Sequence, residues 1–104
     1  MQGIRTIDIK NLEVETELDC GDVMIKLFKI PFGYQCNRNI IGENKRGEMI
    51  WQVEDAHPPL DASFTNIRPF NEMKIITYNW IGADYYIDIQ TGRLELVNGN
   101  ARLW

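Results

Sequence analysis

The chain has one histidine, two cysteines and no long apolar run among its 104 residues, and each scarcity closes off a class of protein. A single histidine, His57, leaves no imidazole pair for a zinc site or a proton relay. Cys20 and Cys36 stand in no Cys-x-x-Cys spacing, so neither a zinc ribbon nor a dithiol redox motif is present. A small domain built without a disulfide framework suits a reducing compartment, with both cysteines as free thiols. Nothing approaches the roughly 20 consecutive apolar residues of a transmembrane helix, and residues 1–6 lack a secretory signal's apolar core. A cytoplasmic location away from membranes is the expectation.

Basic residues are also short in supply. Eleven Lys and Arg face fifteen Asp and Glu, for a net charge of −4. The basic residues are scattered, with Lys45-Arg46 the nearest thing to a cluster, so nucleic acid is not an expected partner. No phosphate-binding glycine motif, zinc spacing or Ser-His-Asp order occurs, and no cofactor or metal is implied.

No window of ten or more residues repeats its apolar positions at 3.6, which leaves room for a helical turn at most. What the chain does have is alternation. Between Leu12 and Asp19 carboxylates hold the odd positions, and the even ones carry Leu12, Val14, Thr16 and Leu18, the period of a half-buried strand. A hairpin over residues 12–32 follows, with Cys20-Gly21 as its loop. That register sets Leu18 opposite Val23, Thr16 opposite Ile25, Val14 opposite Leu27, and Glu15 opposite Lys26.

Residues 39–44 and 48–53 read as two strands joined by Lys45-Arg46-Gly47, with Gly47 at the left-handed position. In that pairing Trp51 faces Ile41 or Ile40. Residues 54–61, with two prolines and three acids, form a loop. The last third reads as a meander. With Ile81-Gly82 as one turn and Thr91-Gly92 as the next, Trp80, Tyr78 and Ile76 share a face with Ala83, Tyr85 and Ile87, and Ile89 and Ile87 face Leu94 and Leu96. Residues 63–70 supply a further strand and residues 4–9 one more. The expected fold is all-β over residues 1–104: one small antiparallel sandwich or barrel of about seven or eight strands built from hairpins.

Tyr86-Ile87-Asp88 followed by Thr91-Gly92-Arg93 resembles a hairpin in a blade of the quinoprotein-type β-propellers. A propeller needs at least four blades of about 40 residues. This chain holds enough for two, and the resemblance implies no more than a hairpin.

The strand that follows the first turn is apolar on both sides. Val23, Ile25 and Leu27 take one side, and Met24, Phe28, Ile30 and Phe32, with Lys26, take the other. An apolar row beside Glu13, Glu15 and Glu17 has the make-up of a protein-binding surface. The first expectation is therefore a non-enzymatic interaction module that self-associates or binds a partner protein through these eight residues. A second is a small-ligand-binding barrel or sandwich drawing on the aromatic residues, with Tyr86 as the residue to watch because it falls among polar neighbours. A third is an enzyme using His57 with Glu54, Asp55 and Asp61. Cys20, flanked by Asp19 and Asp22, is a poor nucleophile, since both charges oppose its thiolate.

Overall fold

Residues 5–6, 8–56 and 62–97 are described by the structure, a computed structural model. The strands run β1 (Arg5–Thr6), β2 (Glu13–Asp19), β3 (Met24–Lys29), β4 (Tyr34–Gln35), β5 (Ile40–Glu43), β6 (Met49–Gln52), β7 (Phe64–Pro69), β8 (Lys74–Asn79), β9 (Asp84–Asp88) and β10 (Leu94–Leu96). A 3-10 turn, Ile9–Asn11, is the helical structure among the described residues. Two four-stranded antiparallel sheets form, in the orders β2-β3-β5-β6 and β10-β9-β8-β7, and β1 and β4 add a short parallel pair. The protein is thus all-β and built from hairpins, with two consecutive meanders stacked as a sandwich.

The core between the sheets gathers Val23, Ile25, Leu27, Ile40, Trp51 and Val53 from the first meander. Phe64, Ile67, Ile75, Tyr85, Ile87 and Ile89 join it from the second. Three contacts fasten the layers. β7 packs beside β2 and β3. Buried Asn39 donates from Nδ2 to the carbonyls of Phe28 (3.0 Å) and Phe64 (2.8 Å) and accepts at Oδ1 from the Phe64 N–H (2.9 Å). The Trp51 indole N–H donates to the Ile89 carbonyl at 2.9 Å, spanning from β6 to the turn after β9.

The first hairpin keeps the expected face but not the expected pairing. Cys20 N–H donates to the Val23 carbonyl, so the loop is Gly21-Asp22, with Gly21 at φ +84°. Gly21 is the residue that tolerates a left-handed first loop position. Leu18 then lies opposite Ile25, Thr16 opposite Leu27, and Lys26 opposite Glu17 rather than Glu15. A bulge at Glu15 turns Val14 to the outer face opposite Phe28, since one extra residue reverses the alternation of all that precede it.

The Lys45-Arg46-Gly47 loop forms as the sequence predicts. Asn44 Oδ1 accepts from the Arg46 and Glu48 N–H groups, and Gly47 sits at φ +80°. Trp51 pairs with Gly42, and with neither Ile40 nor Ile41, because a second bulge falls at Ile50.

The larger correction is in the second sheet. Asn79 closes the next turn as Asn44 closes its own: its Oδ1 accepts from Ala83 N–H, and Gly82 N–H donates back to its carbonyl. The loop is therefore Trp80-Ile81-Gly82, one residue longer than expected, and β8 rotates by one position. Ile75, Thr77 and Asn79 point to the core, while Ile76, Tyr78 and Trp80 point out. Thr77 is tolerated there because its hydroxyl donates to the Asn66 carbonyl at 2.7 Å. In the last hairpin Leu94 faces Ile87 and Leu96 faces Tyr85, the expected side shifted by two residues. Asp88 Oδ1 accepts from the Gln90 and Thr91 N–H groups and so makes a four-residue loop.

Candidate functional site

The eight residues expected to form one binding face are divided by the fold. Glu13, Glu15 and Glu17 are exposed on β2, and Met24 and Lys26 are half-buried on β3. Phe28 is only 8% exposed, so it is unavailable to a partner. Ile41 is likewise buried on that outer side of the first sheet. Ile30 and Phe32 lie beyond the strand, in a different place altogether.

Glu17, Met24 and Lys26 enter a groove of about 410 Å³ together with Asp19, Glu43 and Lys45. Its two lysines are each paired with acids, and acids outnumber them. Lys26 Nζ is 2.8 Å from Glu43 and 3.9 Å from Glu17, and Lys45 Nζ is 3.4 Å from Asp22. The hydrogen bond with Glu43 raises the Lys26 pKa above its ordinary value, against the opposing effect of burial, and the charges of Glu43 and Glu17 add to the rise. A raised lysine pKa stabilises the fold at every pH below the ordinary value of about 10.4, and that contribution fades as pH climbs through the raised value. Lys26→Met is accordingly expected to cost about 1 kcal/mol at neutral pH and to converge on the wild type at a pH above that raised value. Urea melts at the two pH values check it.

Tyr86 is also occupied. Its ring packs on Phe70 at 4.6 Å between centroids, and Lys74 Nζ stands 5.3 Å from its centre while bonding Glu95 at 2.6 Å. Of the polar neighbours expected around it, Asp84 and Asp88 share its strand, whereas Asn79 is buried on the opposite face. His57 and Asp61 lie outside the described residues. Asp55, expected beside His57, accepts at Oδ1 from Asn37 Nδ2 at 3.0 Å. Among the described residues no group of three His, Cys, Asp or Glu side chains is placed to hold a metal.

Cys20 is half-buried against the core rather than exposed at a hairpin tip. Burial and then Asp19 raise its pKa. Burial raises that of Cys36 too.

The feature that stands apart is a cleft where the end of the first meander meets the second. After β3 the chain turns through Pro31, Phe32 and Gly33, with Tyr34 N–H donating to the Pro31 carbonyl and Gly33 at φ +88°. A positive φ at the third position of a turn is where glycine is required. The turn leaves Phe32 fully solvated, at 104% relative exposure. Opposite stands the 80–82 loop, fixed to the other layer by Trp80 N–H donating to the Ser63 carbonyl at 2.9 Å. Trp80 is 70% exposed, although tryptophan loses much by facing water. Between them lies an open cleft of about 420 Å³ lined by Ile30, Pro31, Phe32, Gly33, Tyr34, Ser63 and Trp80. None of these residues carries a charge.

Ile30 and Phe32 were readable as candidates from the sequence. Trp80, Tyr34 and Ser63 were not, because Trp80 reads as core whenever the turn is taken to be two residues long. The signal that recovers it is Asn79-x-x-Gly82, the same spacing as Asn44-x-x-Gly47.

Fold and cleft together define a two-layer antiparallel β-sandwich with an uncharged aromatic cleft at one end. Residues 5–98 match the family described as a domain of unknown function (DUF7957), and the chain belongs to that family. No curated protein and no solved structure matches it. No helix among the described residues is long and apolar enough to cross a membrane.

Proposed function

We infer that the protein is a non-enzymatic interaction module that self-associates or receives a partner protein in the Phe32–Trp80 cleft. The observation that carries this is the pairing of a fully exposed phenylalanine and a largely exposed tryptophan on the two walls of one uncharged cleft. Exposed aromatics held on short rigid turns are the residues that dominate protein interfaces, since they bury much area for little lost freedom. Binding through side chains also suits the sheet edges, which are poor templates for an added strand. β2, β6 and β7 each carry a bulge, β7 ends in Pro69, and β10 has three residues. Such edges resist strand pairing. Of the aromatics that could line a small-ligand cavity, Trp51, Tyr78, Trp80, Tyr85 and Tyr86, Trp51 and Tyr85 are buried in the core and Tyr86 is stacked on Phe70, so they do not converge on one enclosed cavity, which favours a protein partner over a small molecule. The cytoplasm is the compartment that goes with this function, and the free thiols Cys20 and Cys36 support it.

Titration of N-acetyl-phenylalaninamide into the isotope-labelled chain tests the site. Saturable amide shifts are expected at residues 30–34, 63 and 80–82, with weak, millimolar affinity for so small a probe. Shifts centred on the Lys26 or Tyr86 groove, or none, would remove the cleft from consideration.

A further inference from the structure

We propose that the occupant of the cleft is the Phe32 ring of a second copy of this chain, each copy giving one ring and receiving one. This rests on the cleft being the binding site inferred above, and goes further by naming what fills it.

The patch is self-complementary. Phe32 projects wholly into solvent and itself forms one wall of an uncharged cleft of about 420 Å³ whose lining also includes Ile30, Tyr34 and Trp80. That is ample for a phenyl ring. A projecting group next to a hollow that fits it is what a two-fold axis requires, because the same patch must supply both halves of the contact.

Charge decides through which surface two copies can meet. Two copies with a net charge of −4 repel each other, so they approach best through a surface that buries no charge. Three other grooves fail that condition. One is lined by Glu17, Asp19, Lys26 and Glu43, a second by Lys74, Asp88, Arg93 and Glu95, and a third by Asp8, Arg38 and Asp55. Of these four, the Phe32 cleft alone closes without desolvating an ionised group.

The exposed apolar residues available at the patch, Phe32, Trp80 and Ile81, make a contact smaller than the roughly 1,000 Å² of a stable interface. The dimer is therefore weak and in fast exchange, with a dissociation constant of about 10 µM to 1 mM. Each dimer contains the Phe32 contact twice, so Phe32→Ser is expected to weaken it about 100-fold or more.

Sedimentation equilibrium of the full chain, from about 10 µM to about 2 mM, spans the range over which such a contact titrates. The mass of the wild type is expected to climb towards twice that of the monomer, while Phe32→Ser and Trp80→Ser stay monomeric with unchanged melting curves. Both side chains are exposed, so neither variant depends on refolding of the core. A wild type that stays monomeric throughout, or a Phe32→Ser variant that dimerises equally well, would overturn the proposal. If the wild type is monomeric but N-acetyl-phenylalaninamide still shifts the cleft amides, only the second copy falls and the binding site stands. If the probe fails as well, both fall.

Discussion

Trp51→Ala is expected to lower the stability of the domain by about 3–5 kcal/mol, the cost of emptying a large aromatic site in a packed core. For a chain of this size that is a fall in Tm of about 15 °C or more, measurable by calorimetry. The reason for so large an effect lies in how the indole is held. Trp51 is buried, its N–H is bonded to the Ile89 carbonyl, and its ring lies against Gly42 on the neighbouring strand and Gly92 in the last turn. A Cβ at either glycine would overlap the ring. Gly42 has no positive φ to protect, so in its case only the ring explains the glycine. Gly42→Ala is accordingly expected to cost about 1–3 kcal/mol in the wild type. In a Trp51→Leu background it should cost little, since the clash goes with the ring, and the double-mutant cycle reads that coupling directly. An equal cost in both backgrounds would mean that Gly42 serves something other than the indole.

The second large effect is expected at Asn39. Asn39→Leu keeps the branched shape of the side chain but removes the groups that pair with the Phe28 carbonyl and both main-chain groups of Phe64. With about 1–3 kcal/mol for each buried polar group left unpaired, the loss is at least about 3 kcal/mol. Chemical denaturation gives the value, and unchanged steepness of the transition would show that the change is one of stability alone. Asn39→Asp is the sharper variant. An ionised carboxylate there would face two carbonyl oxygens with no proton to offer, whereas the protonated acid can donate to one of them. The variant should be least stable at neutral pH and recover as pH falls through protonation of the carboxyl, the reverse of ordinary acid denaturation.

These two residues also show which parts of the fold could be read from the chain. Alternation was enough to find the hairpins and the all-β class, and it assigned Val23, Ile25, Leu27, Tyr85 and Ile87 to the core correctly. It failed where turn chemistry or a bulge decided the register. Glu15 and Ile50 are bulged, and nothing in their side chains announces it. The second sheet was misread for a different reason. Its buried row on β8 is Ile75, Thr77 and Asn79, while the more apolar row, Ile76, Tyr78 and Trp80, faces outward. Hydrophobicity alone chooses the wrong row. What settles it is Asn79, whose side chain shapes a three-residue loop as Asn44 does, and that chemistry takes precedence over the apolar count.

The binding cleft was half legible for the same reason. Ile30 and Phe32 stood out as surplus apolar residues on the outer side of a strand already satisfied on its inner side. Their counterpart Trp80 is 48 positions further on than Phe32 and was absorbed into the core by the two-residue turn. The two come together because the second meander folds back over the first, while the Trp80 N–H bond to Ser63 holds the 80–82 loop to its own sheet. Phe28, the other phenylalanine of the expected face, is instead buried.

The contact proposed between two copies is the most specific consequence of this cleft, and a mixed sample reports it directly. In an equal mixture of isotope-labelled and unlabelled chains at millimolar concentration, filtered NMR spectra isolate contacts that cross from one copy to the other. Cross-peaks are expected from the Phe32 ring protons to the Trp80 indole and the Tyr34 ring. Intermolecular cross-peaks confined to the charged groove around Lys26, or none under conditions where the wild type is dimeric, would contradict the account.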